Sequence, residues 1–466
     1  MLPKTKRWQI APRIPPEADQ ALHGYPAVLR QILYNRGYTT LEDARRFLEA
    51  QPPQGIDPFV LLDMLTAVER LQTAIQNHEP LAVYGDYDVD GVTSTALLVG
   101  VLQALGGNVI GYIPNRFEEG YGLNNEALSN LREQGICLVI SVDCGVRSPI
   151  EAKHAQEIGL DLIITDHHHP SDELPPAYAI INPKRPGDPY PDKDLAGVGI
   201  AYKLACALVT HMKNQGFAAA AQVNPIEYLD LVALGTVADL APLTGENRYL
   251  VRNGLKQIQN RNRQGVLSLI LAAGLDPDRI TAGDIGYILG PRLNAAGRID
   301  TAFDSLNLLI TRDIETAGLL AQTLDDRNRE RQKIMQDIQI AAEQMALSEH
   351  PDGLLLFAAD ESFNKGVVGL AASKLTETYY RPAIVAQRGE THTRGSCRSI
   401  AEFHITNALD ECADILEHHG GHAAAAGFTV RNEYLDELIN RLQAIAAREL
   451  THVDLRPVLF ADMELP

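Results

Sequence analysis

Cysteine is scarce in this chain. There are five in 466 residues, Cys137, Cys144, Cys206, Cys397 and Cys412, with no CxxC pair and an odd count. That excludes a disulfide framework and leads us to expect reduced thiols in a cytoplasmic protein. Long apolar runs are missing too: none approaches the roughly 20 residues that span a bilayer. The opening MLPKTKRWQIAPRIPP has no apolar signal-peptide core. The expectation is a soluble protein with no membrane partner. Basic residues are outnumbered, 41 against 60 acidic, for a formal net charge of −19. Bulk charge therefore gives no support to nucleic-acid binding, and any basic surface that matters has to be local. Tryptophan occurs once, at Trp8, and there is no internal repeat or low-complexity segment.

What is present is length and alternation. The chain is too long for one ordinary domain, and its 45 % hydrophobic content supports large cores. Residues 1–20 read as an irregular, Pro-rich arm. Helical spacing follows over 26–50 and 64–77. From 80 to 245, apolar runs (LAVYG, NVIGYIP, CLVISVD, DLIITD, AYAIIN) alternate with amphipathic segments such as 125–134 and 149–158. Near-continuous apolar strands between helices predict a parallel sheet covered on both faces. Ligands of such sheets sit beyond the carboxyl ends of the strands.

The acidic residues fall at those ends. Asp86, Asp88 and Asp90 follow the first run, Asp143 follows CLVISV, and Asp166 follows DLIIT. Carboxylates gathered that closely repel one another, and a divalent cation is the usual remedy. The helix predicted over 92–105 would add backbone N–H groups suited to a phosphate. Asp239 lies in the apolar LVALGTVADLAPL, which calls for a partner charge or a metal. With Asp88, Asp90, Asp143 and Asp239, His167 completes a mixed oxygen and nitrogen set adequate for two ions. Such a pair would support phosphoryl transfer. Arg292 and Arg298 in GPRLNAAGR, and Arg116 in NRFEEGYG, are candidates to neutralise phosphate oxygens.

A long polar helix is predicted from about 305 to 347. A second α/β pattern then begins at 353, with a helix over 367–379, a strand over 383–387, a polar stretch to Ile400 and a helix over 405–418. A Gly-rich turn in GGHAAAAGF, a last helix over 433–449 and an exit strand in RPVLFADMELP follow. Gly, Ser and Arg in GSCRS form an anion cradle. The glycines before His422 permit close ligand approach.

At these residues the chain resembles the DHH phosphoesterase superfamily, and within it the RecJ-type single-strand exonucleases. VYGDYDVDG, VDCG at Asp143, Asp166-His167-His168 and GTVADLAPL match the four motifs of the catalytic domain. GPRLNAAGRI, SCRS and GGHAAAAGF match the RecJ-type linker and the DHHA1 domain.

The resemblance implies an α/β fold: a parallel-sheet DHH domain (80–300) behind a helical lead-in (1–79), a connecting helix (301–349) and a smaller DHHA1 domain (350–466), with a groove between the two domains. It implies two Mn2+ or Mg2+ ions. Asp88 and Asp143, helped by Asp86, would hold one; Asp90, Asp143, His167 and Asp239 would hold the other, with Asp143 bridging. His168 would face the scissile phosphate as charge stabiliser or proton donor. Arg116 and Arg298 would touch substrate phosphates, and Ser396, Arg398 and His422 would bind the terminal nucleotide or its phosphate.

The activity implied is 5′-to-3′ degradation of single-stranded DNA to 5′-mononucleotides in recombination and repair, alongside a helicase and a single-strand-binding protein. The alternatives are a phosphodiesterase on oligoribonucleotides or cyclic dinucleotides, and a non-catalytic replication scaffold. Two departures from the family pattern stand out. Tyr84 occupies the place where some superfamily members carry a histidine, and the chain stops where an OB-fold commonly begins.

Overall fold

The computed structural model describes residues 6–115, 119–120, 122–299, 301–349 and 353–465. The chain divides into two compact units, Arg45–Asn328, and Met1–Ala44 together with Arg329–Pro466.

Twelve strands are described: β1 (Arg7–Ile10), β2 (Pro80–Gly85), β3 (Asn108–Tyr112), β4 (Leu138–Val142), β5 (Asp161–Thr165), β6 (Ala179–Ile181), β7 (Leu356–Asp360), β8 (Ala383–Arg388), β9 (His392–Arg398), β10 (Leu416–His422), β11 (Ala425–Arg431) and β12 (Val458–Ala461). In the unit Arg45–Asn328 the order is β3-β2-β4-β5-β6, every pairing parallel. Alternation along the strands explains why nearly every position is apolar. Leu81, Val83, Leu138 and Ile140 point into one core, with helices Met64–Gln76, Val89–Ala104 and Gly197–Asn214. Ala82, Tyr84, Val139 and Ile164 point into the other, with helices Asn125–Glu133 and Pro149–Glu157. Burying such a Leu or Val side chain contributes about 1.5–3 kcal/mol, so both faces hold the sheet. The carboxyl ends of β2, β4 and β5 are thereby fixed side by side.

The other unit carries the sheet β10-β11-β9-β8-β7, in which only β7 and β8 are parallel. Helices Ile405–Asp410 and Leu435–Leu450 pack on one face. Helix Val368–Tyr379 and the end of the 36-residue helix Ile314–Glu349 pack on the other.

Four local expectations change. The helix read over 405–418 stops at Asp410, and 416–422 form the edge strand β10. LEHHGGH lacks apolar alternation because an edge strand with an open face needs none. The polar stretch before Ile400 is β9, whose inward residues Thr393, Gly395 and Cys397 are small, which hid the period of two. The opening arm and the exit strand are partners: β1 and β12 pair in parallel, Arg7 opposite Val458. Residues up to 44 accordingly group with the second unit, and only the rest of the lead-in joins the unit Arg45–Asn328.

Candidate metal centre

The loop after β2 is built by Asp88. Its carboxylate caps the helix Val89–Ala104, accepting from the N–H groups of Asp90 (2.9 Å) and Gly91 (3.1 Å). Asp90 is thus drawn into the first turn and buried. It accepts from the backbone N–H groups of Gly197 (2.7 Å) and Val198 (2.8 Å), which open the helix Gly197–Asn214. A helix N-terminus is a ready anion seat, and here the anion is a side chain.

Asp143 follows β4 in the left-handed region, φ +60°. Its N–H is held by the Thr165 carbonyl at 3.0 Å, and the Thr165 hydroxyl ties back to the Ser141 carbonyl at 2.9 Å. A non-glycine residue in that conformation carries strain, and the strain turns this carboxylate into the pocket. Two glycines make room around these acids. A Cβ on Gly197 would lie 2.8 Å from the Asp143 Cβ, and one on Gly235 would lie 2.8 Å from Asp90 Oδ1.

His167 Nε2 is the hub. It lies 3.2 Å from Asp143 Oδ1, 3.8 Å from Asp239 Oδ2 and 4.0 Å from Asp90 Oδ2. Three ligand sets result, each with one donor atom per residue and all within 4.8 Å: Asp86, Asp88 and Asp143; Asp90, His167 and Asp239; Asp143, His167 and His168. The structure therefore brings together all six residues expected to hold metal, with His168 beside them, and Asp143 belongs to two of the sets.

The electrostatics call for cations. Burial, then the charges of Asp90, Asp88 and Asp86, push Asp143 well above the ordinary carboxylate range. Burial with the charges of Asp239 and Asp88 does the same to Asp90, against the pull of its two backbone donors. Asp239 is raised to about 6, by burial and by Asp88. Burial, and then the charge of His168, lowers His167 to about 4. Its buried Nε2 has no hydrogen-bond partner among the described residues. A neutral imidazole facing several carboxylates that cannot all ionise is a donor set that fits divalent cations.

Asp166 is no ligand; it holds His168. Its Oδ1 accepts from both His168 Nδ1 (2.7 Å) and His168 N (3.0 Å), and its Oδ2 accepts from Val146 N (2.9 Å). Burial pulls the His168 imidazole down, but the hydrogen bond and charge of Asp166 outweigh it, so the net shift is upward. Asn182 fixes the loop by donating to the His168 carbonyl at 2.8 Å. Sequence reading placed Asp166 at a strand end without this role, and it missed Gly197, Gly235 and the backbone donors of Gly197 and Val198. The signal for the last group was AGVGIAYK, small residues opening a helix. Tyr84 faces the opposite core, its hydroxyl donating to the Gly122 carbonyl at 3.0 Å, so it stands apart from the donors.

The arginines divide. Arg292 is structural: it donates to the buried Asp325 at 2.9 Å and to the Ile288 carbonyl at 2.8 Å. Arg298 closes the helix Gly290–Ile299, where Gly297 would bring a Cβ to 3.0 Å from the Tyr87 carbonyl, so this turn packs against the loop of Asp86 and Asp88. Arg116 lies outside the described residues.

In the other unit, register puts Ser396, Arg398 and His422 on one face. Arg398 pairs with Ala425, which pairs with His422, and paired residues share a side. A Cβ on Gly369, at the start of the helix Val368–Tyr379, would lie 3.2 Å from Arg398 Nη2 and 3.5 Å from Ser396 Oγ. The hydroxyl and the guanidinium thus lie close to that helix N-terminus.

Sequence profiles of the DHH family, N-terminal domain, and of the DHHA1 domain match residues 80–236 and 352–448. The single-stranded-DNA-specific exonuclease RecJ of Bacillus subtilis is 42 % identical over 99 % of this chain, which spans 58 % of that protein. The Dickeya dadantii protein of the same name is 38 % identical over 94 % of this chain and 78 % of its own length. The crystal structure of Thermus thermophilus RecJ in complex with Mn2+ superposes with a TM-score of 0.82 at 30 % identity, covering 99 % of this chain and 65 % of that one.

Proposed function

Since the chain belongs to the RecJ family of DHH–DHHA1 proteins, we propose that it is a divalent-metal-dependent exonuclease that shortens single-stranded DNA from the 5′ end to 5′-mononucleotides. The observation that carries this reading is the convergence of five carboxylates and two imidazoles, six of them after adjacent strands and Asp239 at a helix C-terminus, into overlapping ligand sets about His167 and Asp143. Held there, a pair of Mn2+ or Mg2+ ions supplies neutralisation of the phosphate and a nucleophilic water at neutral pH.

The side chains do the rest. Asp88 and Asp143, helped by Asp86, would hold one ion, and Asp90, Asp143, His167 and Asp239 would hold the other, Asp143 serving both sets. Asp166 keeps the Nδ1 proton of His168 in place and favours its charged form, leaving Nε2 to stabilise the phosphate or to give a proton to the leaving 3′ oxygen. Arg298 and Arg116 neutralise substrate phosphates, and Ser396, Arg398 and His422 hold the terminal nucleotide or its phosphate. A cytoplasmic role in recombination and repair, beside a helicase and a single-strand-binding protein, completes the reading. No helix among the described residues is long and apolar enough to cross a membrane.

The test is a time course on 5′- and 3′-labelled DNA strands, with an RNA strand and a dinucleotide alongside. Early release of the 5′ label as mononucleotide from DNA supports the proposal. Turnover of the dinucleotide alone would instead mark a small-substrate phosphodiesterase.

A further inference from the structure

The ends of β2, β4 and β5 supply most of the metal centre, and the next strand in the row, β6, ends beside them. Strand β6 pairs in parallel with β5, Ile181 opposite Thr165. The Asp166 N–H continues the ladder by donating to the Ile181 carbonyl at 3.2 Å. Asn182, Pro183 and Lys184 therefore run beside Asp166, His167 and His168, over the edge where ligands of a parallel sheet collect. Asn182 locks the two segments together. It is fully buried. Its Nδ2 donates to the His168 carbonyl at 2.8 Å, and its Oδ1 accepts the Lys184 N–H at 2.8 Å.

Lys184 is half-buried, and its ammonium makes no hydrogen bond or ion pair among the described residues. Other cations of this loop are engaged. Arg185 donates to Asp63 and to the Ile180 carbonyl, and Lys193 donates to the Pro183 and Asp188 carbonyls. Burial dominates the shifts at His167 and at Asp239, and the Lys184 charge is felt at both. Those two share a ligand set with Asp90. A cation beside metal ligands works against the metal, because like charges repel. Its use lies with a negative group that arrives later.

The charge balance shows which. Two divalent cations carry four positive charges against five carboxylates. A phosphodiester adds a negative charge, and attack by water puts more on its non-bridging oxygens. His168 already faces a carboxylate, that of Asp166, at 2.7 Å. Arg298 stands on the far side of the strand row, on the turn packed against the loop after β2.

We propose that Lys184 is a catalytic residue: its ammonium meets a non-bridging oxygen of the scissile phosphate on the side of His167 and Asp239, and stabilises the charge that develops there. Asn182 is its positioning residue, holding Lys184 and His168 at one spacing. The inference rests on the exonuclease reading above.

The test compares Lys184→Gln, Lys184→Arg and Lys213→Gln. Lys213 is exposed at the far end of the helix Gly197–Asn214, and its replacement changes the net charge equally. Two properties are read: Mn2+ affinity by calorimetry without substrate, and steady-state cleavage of a 5′-phosphorylated oligothymidylate. Lys184→Gln is expected to lower kcat about 100-fold and to leave KM within a factor of about two. Mn2+ binds this variant at least as tightly as the wild-type protein, by up to about threefold, because a like charge has gone. Lys184→Arg keeps the charge and recovers most of the rate, and Lys213→Gln matches the wild type in both properties. An unchanged kcat in Lys184→Gln overturns the assignment. So does a loss of rate accompanied by weaker Mn2+ binding, the mark of a residue that only supports the fold, and so does an equal loss in Lys184→Arg. Absence of DNA cleavage by the wild-type protein overturns the exonuclease reading itself.

Discussion

His168 Nδ1 donates to Asp166 Oδ1 across 2.7 Å, and the same oxygen accepts the His168 backbone N–H at 3.0 Å. The imidazole is held at two points by one buried carboxylate. That fixes which nitrogen carries the proton and raises the basicity of the ring.

Asp166→Asn keeps the shape and removes the charge. The folded pKa of His168 is raised mainly by Asp166 acting against burial. Without the charge it falls, and the proton-donating form is lost at lower pH. The alkaline limb of the kcat profile is expected to move to lower pH, with kcat down by about 100-fold at neutral pH. A limb that stays in place would show that His168 gives no proton.

Removing His168 and removing Asp143 should have separable effects. His168→Ala is expected to lower kcat by roughly 10²–10⁴ while Mn2+ stoichiometry by calorimetry stays at the wild-type value. Asp143→Ala takes a donor from two ligand sets, so activity falls by several orders and titratable Mn2+ falls with it. Unimpaired function of Asp143→Ala in the cell, despite lost nuclease activity, would favour the scaffold alternative.

Chelation should reveal the crowded acids. With EDTA, activity disappears, and Mn2+ restores it. In the metal-free protein, Asp90, Asp143 and Asp239 have folded pKa values above their unfolded ones, Asp239 reaching about 6. Between the two values the folded state binds more protons than the unfolded state. Stability is therefore highest below about pH 4 as far as these groups are concerned, and falls as pH rises through 6. The expected result is a metal-free Tm that declines from pH 5 to pH 7 and a Mn2+-induced rise in Tm that is larger at pH 7, because ligation needs the deprotonated acids. A Mn2+ effect of equal size at both values would contradict this.

The two glycines beneath the acids should not tolerate a methyl group. Gly197→Ala places a Cβ against Asp143, and Gly235→Ala places one 2.4 Å from Thr93 Oγ1. Each is expected to cost about 1–3 kcal/mol in urea unfolding and to weaken Mn2+ binding, by different routes: the first displaces Asp143, the second Asp90. Wild-type metal affinity in both would mean that the donors tolerate displacement.

Legibility in the sequence followed the chemistry of burial. Strands β2, β4, β5 and β6 could be read because burial on both faces forces apolar residues at nearly every position, whereas the edge strand β3, with Ile110 exposed, was legible only from its short apolar run. The donor set could be read because carboxylates follow those strands at once. Strands β9 and β10 could not, since one side is lined by small residues and the other faces water. The partnership of Asp166 with His168 was hidden for a different reason. An acid beside a cluster of metal-ligating side chains looks like a ligand, and only the position of Val146 N and His168 Nδ1 shows that its oxygens are already used. Arg292 misled in the opposite sense, because its carboxylate partner Asp325 is distant in sequence.

The parallel pairing of Arg7–Ile10 with Val458–Ala461 also sets an order of events during synthesis on the ribosome. Strand β1 emerges before β12 and waits through about 450 further positions for that neighbour. Meanwhile the uninterrupted stretch Arg45–Asn328 has everything its own core requires, and domains close as units once their sequence is available. The unit Arg45–Asn328 is thus available as a whole while the other unit still lacks β12, and pairing β1 with β12 closes a long chain loop, a contact that is entropically slow to make.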